Sequence, residues 1–136
     1  QYKPLQTNQH EFRLLTFDAG ASMSNIHCEL KPAPVDKAPV YSALSYTWGD
    51  PSVTRTIFVN GQRLEVTSNL YNALSNFRDL YPGIRLWADA VCINQDDIEE
   101  KGQQIQLMQK IFSRAIKTLV WLGIEEDESS KAFDLI

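Results

Sequence analysis

The stretch LWADAVCINQDDIEEKGQQIQLM, Leu86 to Met108, decides the fold, because it opens as the apolar run of a buried strand and closes with the period of an amphipathic helix. Asp89 stands inside the apolar run, and the polar knot Asn94-Gln95-Asp96-Asp97 marks the junction. Period and β-propensity predict a strand from about Ile84 to Ile93, with Asp89 on the face of Trp87, Val91 and Ile93. A buried carboxylate needs hydrogen-bond donors, so Asp89 either holds the TWGD loop through backbone N–H groups or forms the wall of a site. Asn94 and Gln95 carry the same two readings, since amides at such a junction satisfy backbone groups as readily as a ligand. Asp97 and Glu100, three apart before Ile105, Met108, Ile111, Phe112 and Ala115, have the spacing of a capping box that opens a helix.

Working outward, KTLVWLG (Lys117 to Gly123) is a further buried strand, and Ser129 or Ser130 is placed to cap a last helix beginning KAFDLI. Strand, helix and strand from Ile84 to Leu122 have the length of a crossover, which makes those two strands parallel. Upstream, Ser68 is predicted to cap a helix carrying Leu70, Leu74, Phe77 and Tyr81, ended by Pro82-Gly83. TIFVNGQRLEVT is a hairpin whose Asn60-Gly61 supplies the positive-φ pair of a type I′ turn. YSALSYTW alternates and stops at Gly49-Asp50-Pro51; KPAPVDKAP, with its prolines, reads as an extended linker; EFRLLTF and NIHCEL are two amino-terminal strands. The expected architecture is a single α/β domain over 1–136, with a mixed, partly parallel sheet flanked by helices, an added β-hairpin and the amino-terminal strands. Residues 1–10 and the carboxyl end read as the incomplete or flexible ends of a fragment of a longer protein.

Composition excludes several classes. The chain has 136 residues, 43% hydrophobic and 22% charged, which suits one globular domain that needs no staples. A formal charge of -4, from 17 acids against 13 bases with no basic stripe, argues against a nucleic-acid groove. No apolar run is long enough to span a bilayer. Cys28 and Cys92 lie in apolar runs rather than at metal or disulfide spacing, and suit a reducing compartment. His10 and His27 are not at ligand spacing to each other or to a cysteine, so no metal site is expected.

In an open sheet with parallel strands, ligands collect beyond the carboxyl ends of the strands. The turns TWGD, CINQDD and WLGIEED all end strands in polar or glycine-containing segments, and parallel neighbours would bring them round one pocket. Glu100, in the first helical turn, serves there either as a cap or as an ionised carboxylate that stabilises a developing oxocarbenium ion. The helix terminus invites phosphate, while Asp96, Asp97 and Glu99 repel it. The acidic patch Glu125 to Glu128 reads as a solvated loop.

YSALSYTWGD, LWADAVCINQDD, EKGQQIQLM and VWLG, in this order and spacing, resemble the fungal heterokaryon incompatibility (HET) domain, over Tyr41 to Gly123. Ala88 departs from that pattern, where the family often has a larger β-branched residue. The resemblance implies a cytoplasmic effector domain of nonself recognition that triggers growth arrest or cell death, joined to sensor or regulatory regions of a longer chain. It also implies a distant likeness to Toll/interleukin-1 receptor (TIR) domains and their flavodoxin-like sheet. Some TIR domains cleave NAD with a glutamate; others only self-associate. Under the first implication Glu100 is the catalytic residue, with Glu99 as the competing choice. Trp48, Gly49, Asp50, Asp89, Cys92, Asn94, Gln95 and Gln104 would then bind the substrate. NAD enters as a nucleotide substrate rather than a cofactor, and no cofactor is expected. Under the second, the polar knot stabilises loops that make a self-association interface.

Overall fold

The computed structural model describes residues 2–6, 10–18, 25–47, 49–122 and 132–135, the last four by their backbone. The chain runs β1 (Glu11–Phe17), β2 (His27–Pro34), β3 (Ser42–Tyr46), β4 (Thr54–Val59), β5 (Gln62–Thr67), α1 (Ser68–Leu80), β6 (Arg85–Trp87), α2 (Asp89–Cys92), α3 (Ile98–Arg114), β7 (Lys117–Trp121) and β8 (Ala132–Leu135). One sheet holds all eight strands in the order β5-β4-β2-β1-β6-β3-β7-β8. β3 lies between β6 and β7 and is parallel to both, with Ala43 beside Trp87 and Tyr46 beside Trp121. The expected α/β class, with a mixed and partly parallel sheet, is what forms. The amino-terminal pair and the hairpin extend it, as β1 joins β6 antiparallel and β4 joins β2 in parallel.

The sheet is covered on both faces. Ala43 and Tyr46 are three apart on β3, so their neighbours Trp87 and Trp121 point to opposite sides. Trp121 meets Phe77 of α1 edge-on at 6.2 Å, and Trp87 meets Phe112 of α3 at 5.4 Å. Tyr41, just before β3, donates its hydroxyl to the carbonyl of Ile111 at 2.6 Å and pins the end of α3. Asn60 (φ 51) and Gly61 (φ 80) form the positive-φ pair that the hairpin demands, and Asn60 Oδ1 accepts the N–H of Leu30 at 3.0 Å, docking the hairpin onto β2.

Four local expectations are corrected. The strand over Ile84–Ile93 ends at Trp87, and one helical turn follows, with Cys92 N–H donating to Ala88 O at 2.8 Å and Ile93 N–H to Asp89 O at 3.2 Å. Val91, Cys92 and Ile93 are all within 2% of full burial, and over so few residues a buried helical turn carries the same apolar run as a strand covered on both faces. KPAP belongs to β2 rather than to a linker. Beyond His27 and Cys28 β2 pairs only with β1, so its prolines lose no ladder bond on the other side. Ala132–Leu135 pairs antiparallel with β7 as a strand, not a helix, and its predicted caps Ser129 and Ser130 lie outside the described residues. Thr67, not Ser68, caps α1, accepting the N–H of Leu70 at 3.3 Å.

Leu86 is fully buried in the short strand between β1 and β3. Leu86→Ala is expected to lower unfolding free energy by about 2–5 kcal/mol, measured by urea denaturation, because a cavity opens where both faces are covered.

Candidate functional site

The carboxyl ends of β3, β6 and β7 share one edge, and there the segment that leaves β6 takes part in two polar centres. The first surrounds Arg13. β1 runs antiparallel to β6 with Leu15 opposite Leu86, so continuing that register sets Arg13 at the end of β6. Its neighbours Phe12 and Leu14 are buried, and Arg13 itself is 2% exposed. A guanidinium cannot lose its charge, so it must find acceptors. Both Glu100 oxygens take one, each at 2.6 Å, in a forked pair. Cys92 O and Lys3 O accept the remaining described bonds at 3.1 and 2.7 Å, and the ring of Tyr2 lies over the guanidinium. Tyr2 donates its hydroxyl to Val91 O at 2.7 Å, and burial pushes its pKa up to about 12.

Glu100 also accepts the N–H of Asn94 at 2.7 Å, while Asp97 caps α3 by accepting the N–H of Glu100 at 3.1 Å. The predicted capping box is thus half made, since the Glu100 side chain turns away from the cap to Arg13. Glu99 is exposed.

The second centre is Asp89, half-buried at the start of α2, which accepts the Tyr46 hydroxyl at 3.1 Å. It does not share a strand face with Trp87, Val91 and Ile93, because the chain has already left the sheet. Burial, then the charge of Asp89, raises the Tyr46 pKa, so the phenol stays a donor. Exposed Gln95 donates to Asp89 O at 2.9 Å and Ile93 O at 3.3 Å, closing the turn through the backbone.

Beside these, Asn69 of α1 ties two strand ends together: it donates to the carbonyl and hydroxyl of Thr47 and accepts Trp121 Nε1–H at 3.1 Å. Gly49 packs on it. At φ +70, and with an added Cβ only 3.2 Å from Asn69 Cβ, that position excludes a side chain on two counts. Asp50 is exposed and accepts from Ser52 N–H and hydroxyl at 2.9 and 2.7 Å. Trp48 and residues 123–131 lie outside the described residues, so the walls expected of them are not described.

Of the predicted residues, Glu100, Asn94 and the Cys92 carbonyl gather in the first centre, Asp89 and Gln95 in the second. Gln104, 2% exposed, donates to Glu11 O at 2.8 Å and belongs to the contact of α3 with β1. A cavity of about 220 Å3 borders Glu100, Glu99, Gln103 and the Pro4-Leu5 segment, while the Glu100 carboxylate oxygens bond Arg13 and Asn94. Among the described residues no three His, Cys, Asp or Glu side chains gather as a metal-ligand group. Sequence reasoning missed Arg13, Tyr46 and Asn69. A cation inside EFRLLTF was the available signal, since a strand with buried neighbours on both sides of it requires an anionic partner.

A family model described as heterokaryon incompatibility protein (HET) matches residues 41–136. The chain belongs to the HET family. It is 37% identical over 131 residues to heterokaryon incompatibility protein 6, OR allele, of Neurospora crassa, an alignment covering 87% of this chain and 19% of that protein. This HET chain therefore spans about a fifth of the curated relative's length. No solved structure matches. Among the described residues no helix is long and apolar enough to cross a membrane.

Glu100→Ala leaves a buried guanidinium unpaired, and is expected to cost about 3–5 kcal/mol in denaturant unfolding. The double change Arg13→Met with Glu100→Leu should recover most of that loss; a double variant as weak as the single one would show that the pair is not the source.

The thiols give a second check. Burial pushes the pKa of both Cys28 and Cys92 from 9.0 up to about 12. The native chain should not react with a disulfide reagent at pH 8, and both thiols should react in guanidinium. The folded chain keeps protons that the unfolded chain releases, so stability should fall as pH rises from about 9 towards 12.

Proposed function

We propose that this HET domain is an effector of fungal nonself recognition, acting in the cytoplasm, and that it drives incompatibility, growth arrest or cell death, by associating with further copies of itself. Regulatory or sensor regions of the longer protein would control that step. Family membership and the name of the relative support the incompatibility role. The observation that favours association over catalysis is the state of Glu100. Both carboxylate oxygens are engaged by Arg13, a third bond comes from Asn94 N–H, and the residue is 7% exposed. A carboxylate so held works as an internal tie.

A second reading, NAD glycohydrolysis in the manner of some TIR domains, draws support from Asp89 and Glu100 standing beyond the carboxyl ends of parallel strands, where such sheets take ligands. Nicotinamide leaves as a neutral group from a cationic riboside, so one carboxylate suffices to stabilise the oxocarbenium ion. On this reading Glu100 exchanges Arg13 for the ribose cation, and Asp89, Asn94 and Gln95 shape the floor.

The two separate in one preparation. Purified chain, concentrated and incubated with NAD, is expected to leave NAD unchanged while its mass by light scattering rises with concentration. NAD consumption that disappears in Asp89→Asn or Glu100→Gln, with the fold retained by circular dichroism, would transfer the function to hydrolysis.

A further inference from the structure

α3 runs from the carboxyl edge of the sheet to its amino edge, about 24 Å at 1.5 Å per residue. Its two ends differ in shape and charge. At the first, Ile98 is 86% exposed, the most exposed large hydrophobic side chain among the described residues, within a collar of exposed Asp96, Asp97 and Glu99. Lys101 stands one turn further on. At the second, a cavity of about 370 Å3 is lined by the segment 35–41, Asp36 included, with Arg114 and Ile116. Val40 and Ile116 are 64% and 57% exposed, and the N–H of Ile116 donates to Tyr41 O, which fixes them side by side.

The rim of that cavity is basic. Arg85 donates to Val40 O at 3.3 Å, Lys110 and Arg114 flank it, and Lys37 is exposed next to Asp36. Asp36 is the rim's acid. It is bonded at 3.0 Å by both Lys110 and Arg114, and these cations hold its carboxyl below the usual range. Among the described residues one anion stands against four cations, which leaves a positive margin round the hollow. The other end offers an apolar knob in a negative collar.

We infer that a second copy of this chain is the occupant: Ile98 of one copy seats between Val40 and Ile116 of the next, with Asp96, Asp97 and Glu99 facing Arg85, Lys110 and Arg114. This deepens the self-association reading above and rests on it. Knob and hollow lie at opposite ends of one rigid helix, so they do not meet within a copy. The contact is heterologous, and repeated it builds an open head-to-tail chain rather than a closed dimer. Complementary charge directs the encounter and rejects the reversed pairing, and the isoleucine supplies the desolvated anchor.

Sedimentation and light scattering of the chain across rising concentration test this, with circular dichroism checking the fold of each variant. Wild-type mass should grow past that of a dimer, and growth should weaken with salt as the charges are screened. Ile98→Lys and Ile116→Glu should each weaken association by roughly 30-fold or more and stay monomeric alone. Mixed one to one, the two variants should form dimers and nothing larger, because the first still offers a hollow and the second a knob. Val40→Glu replaces Ile116→Glu should that variant misfold.

A wild-type chain that stays monomeric at every concentration overturns the self-association reading and this inference together. Association that persists in both variants, or a mixture that remains monomeric, overturns only the knob-and-hollow contact.

Discussion

A guanidinium with nowhere to lose its charge organises the junction between sheet and helices. Arg13 projects from a strand with buried residues on either side, and each segment passing the end of β6 contributes an acceptor: the amino-terminal segment through Lys3 O, α2 through Cys92 O, α3 through Glu100. Because Glu100 is the third residue of α3, satisfying Arg13 also decides where that helix begins. Buried ion pairs in general cost more to break by removing one partner than to replace whole, so the pair is better understood as specifying an arrangement than as adding stability. The same carboxylate receives Asn94 N–H, and the polar knot that looks anomalous in the sequence is the backbone turning to meet that demand.

The rest of the edge follows a similar logic without a buried cation. Tyr46 and Asp89 link β3 to α2, and Asn69 links the end of β3 to the indole of β7. The strand ends are thereby tied laterally by side chains in addition to the β3–β7 ladder, which runs to Tyr46 and Trp121. α1 covers one face and α3 the other, and each sets a phenyl ring edge-on to an indole of the sheet, Phe77 with Trp121 and Phe112 with Trp87.

Much of this architecture was legible. Asn60-Gly61 announced the hairpin because few residue pairs accept its dihedrals, the apolar periods announced α1 and α3, and the crossover length announced that β6 and β7 run the same way, with β3 found between them. The losses have definite causes. Over four residues a helical turn and a buried strand give the same apolar run, so DAVC was indistinguishable from a continuation of β6. Ala132–Leu135 is equally short, and only pairing with β7 selects the strand. Pro32 and Pro34 signalled a linker because sequence does not reveal which side of a strand is unpaired. Of the site, the residue types at the edge could be named in advance, but Glu100 was seen only as a cap or catalyst. Its partner lies 87 positions away, and nothing local connects the two.

The order of the strands has a bearing on where this unit starts. The family pattern begins at residue 41, yet β1 and β2 precede it and stand in the middle of the sheet, between the β4-β5 hairpin and β6. Trimmed to the recognisable motif, the polypeptide would lose the bridge that joins its two halves along with the cation that Glu100 was buried to meet. The family pattern is narrower than the sheet that must fold together, so any transplant of the domain into another chain has to carry β1 and β2 as cargo.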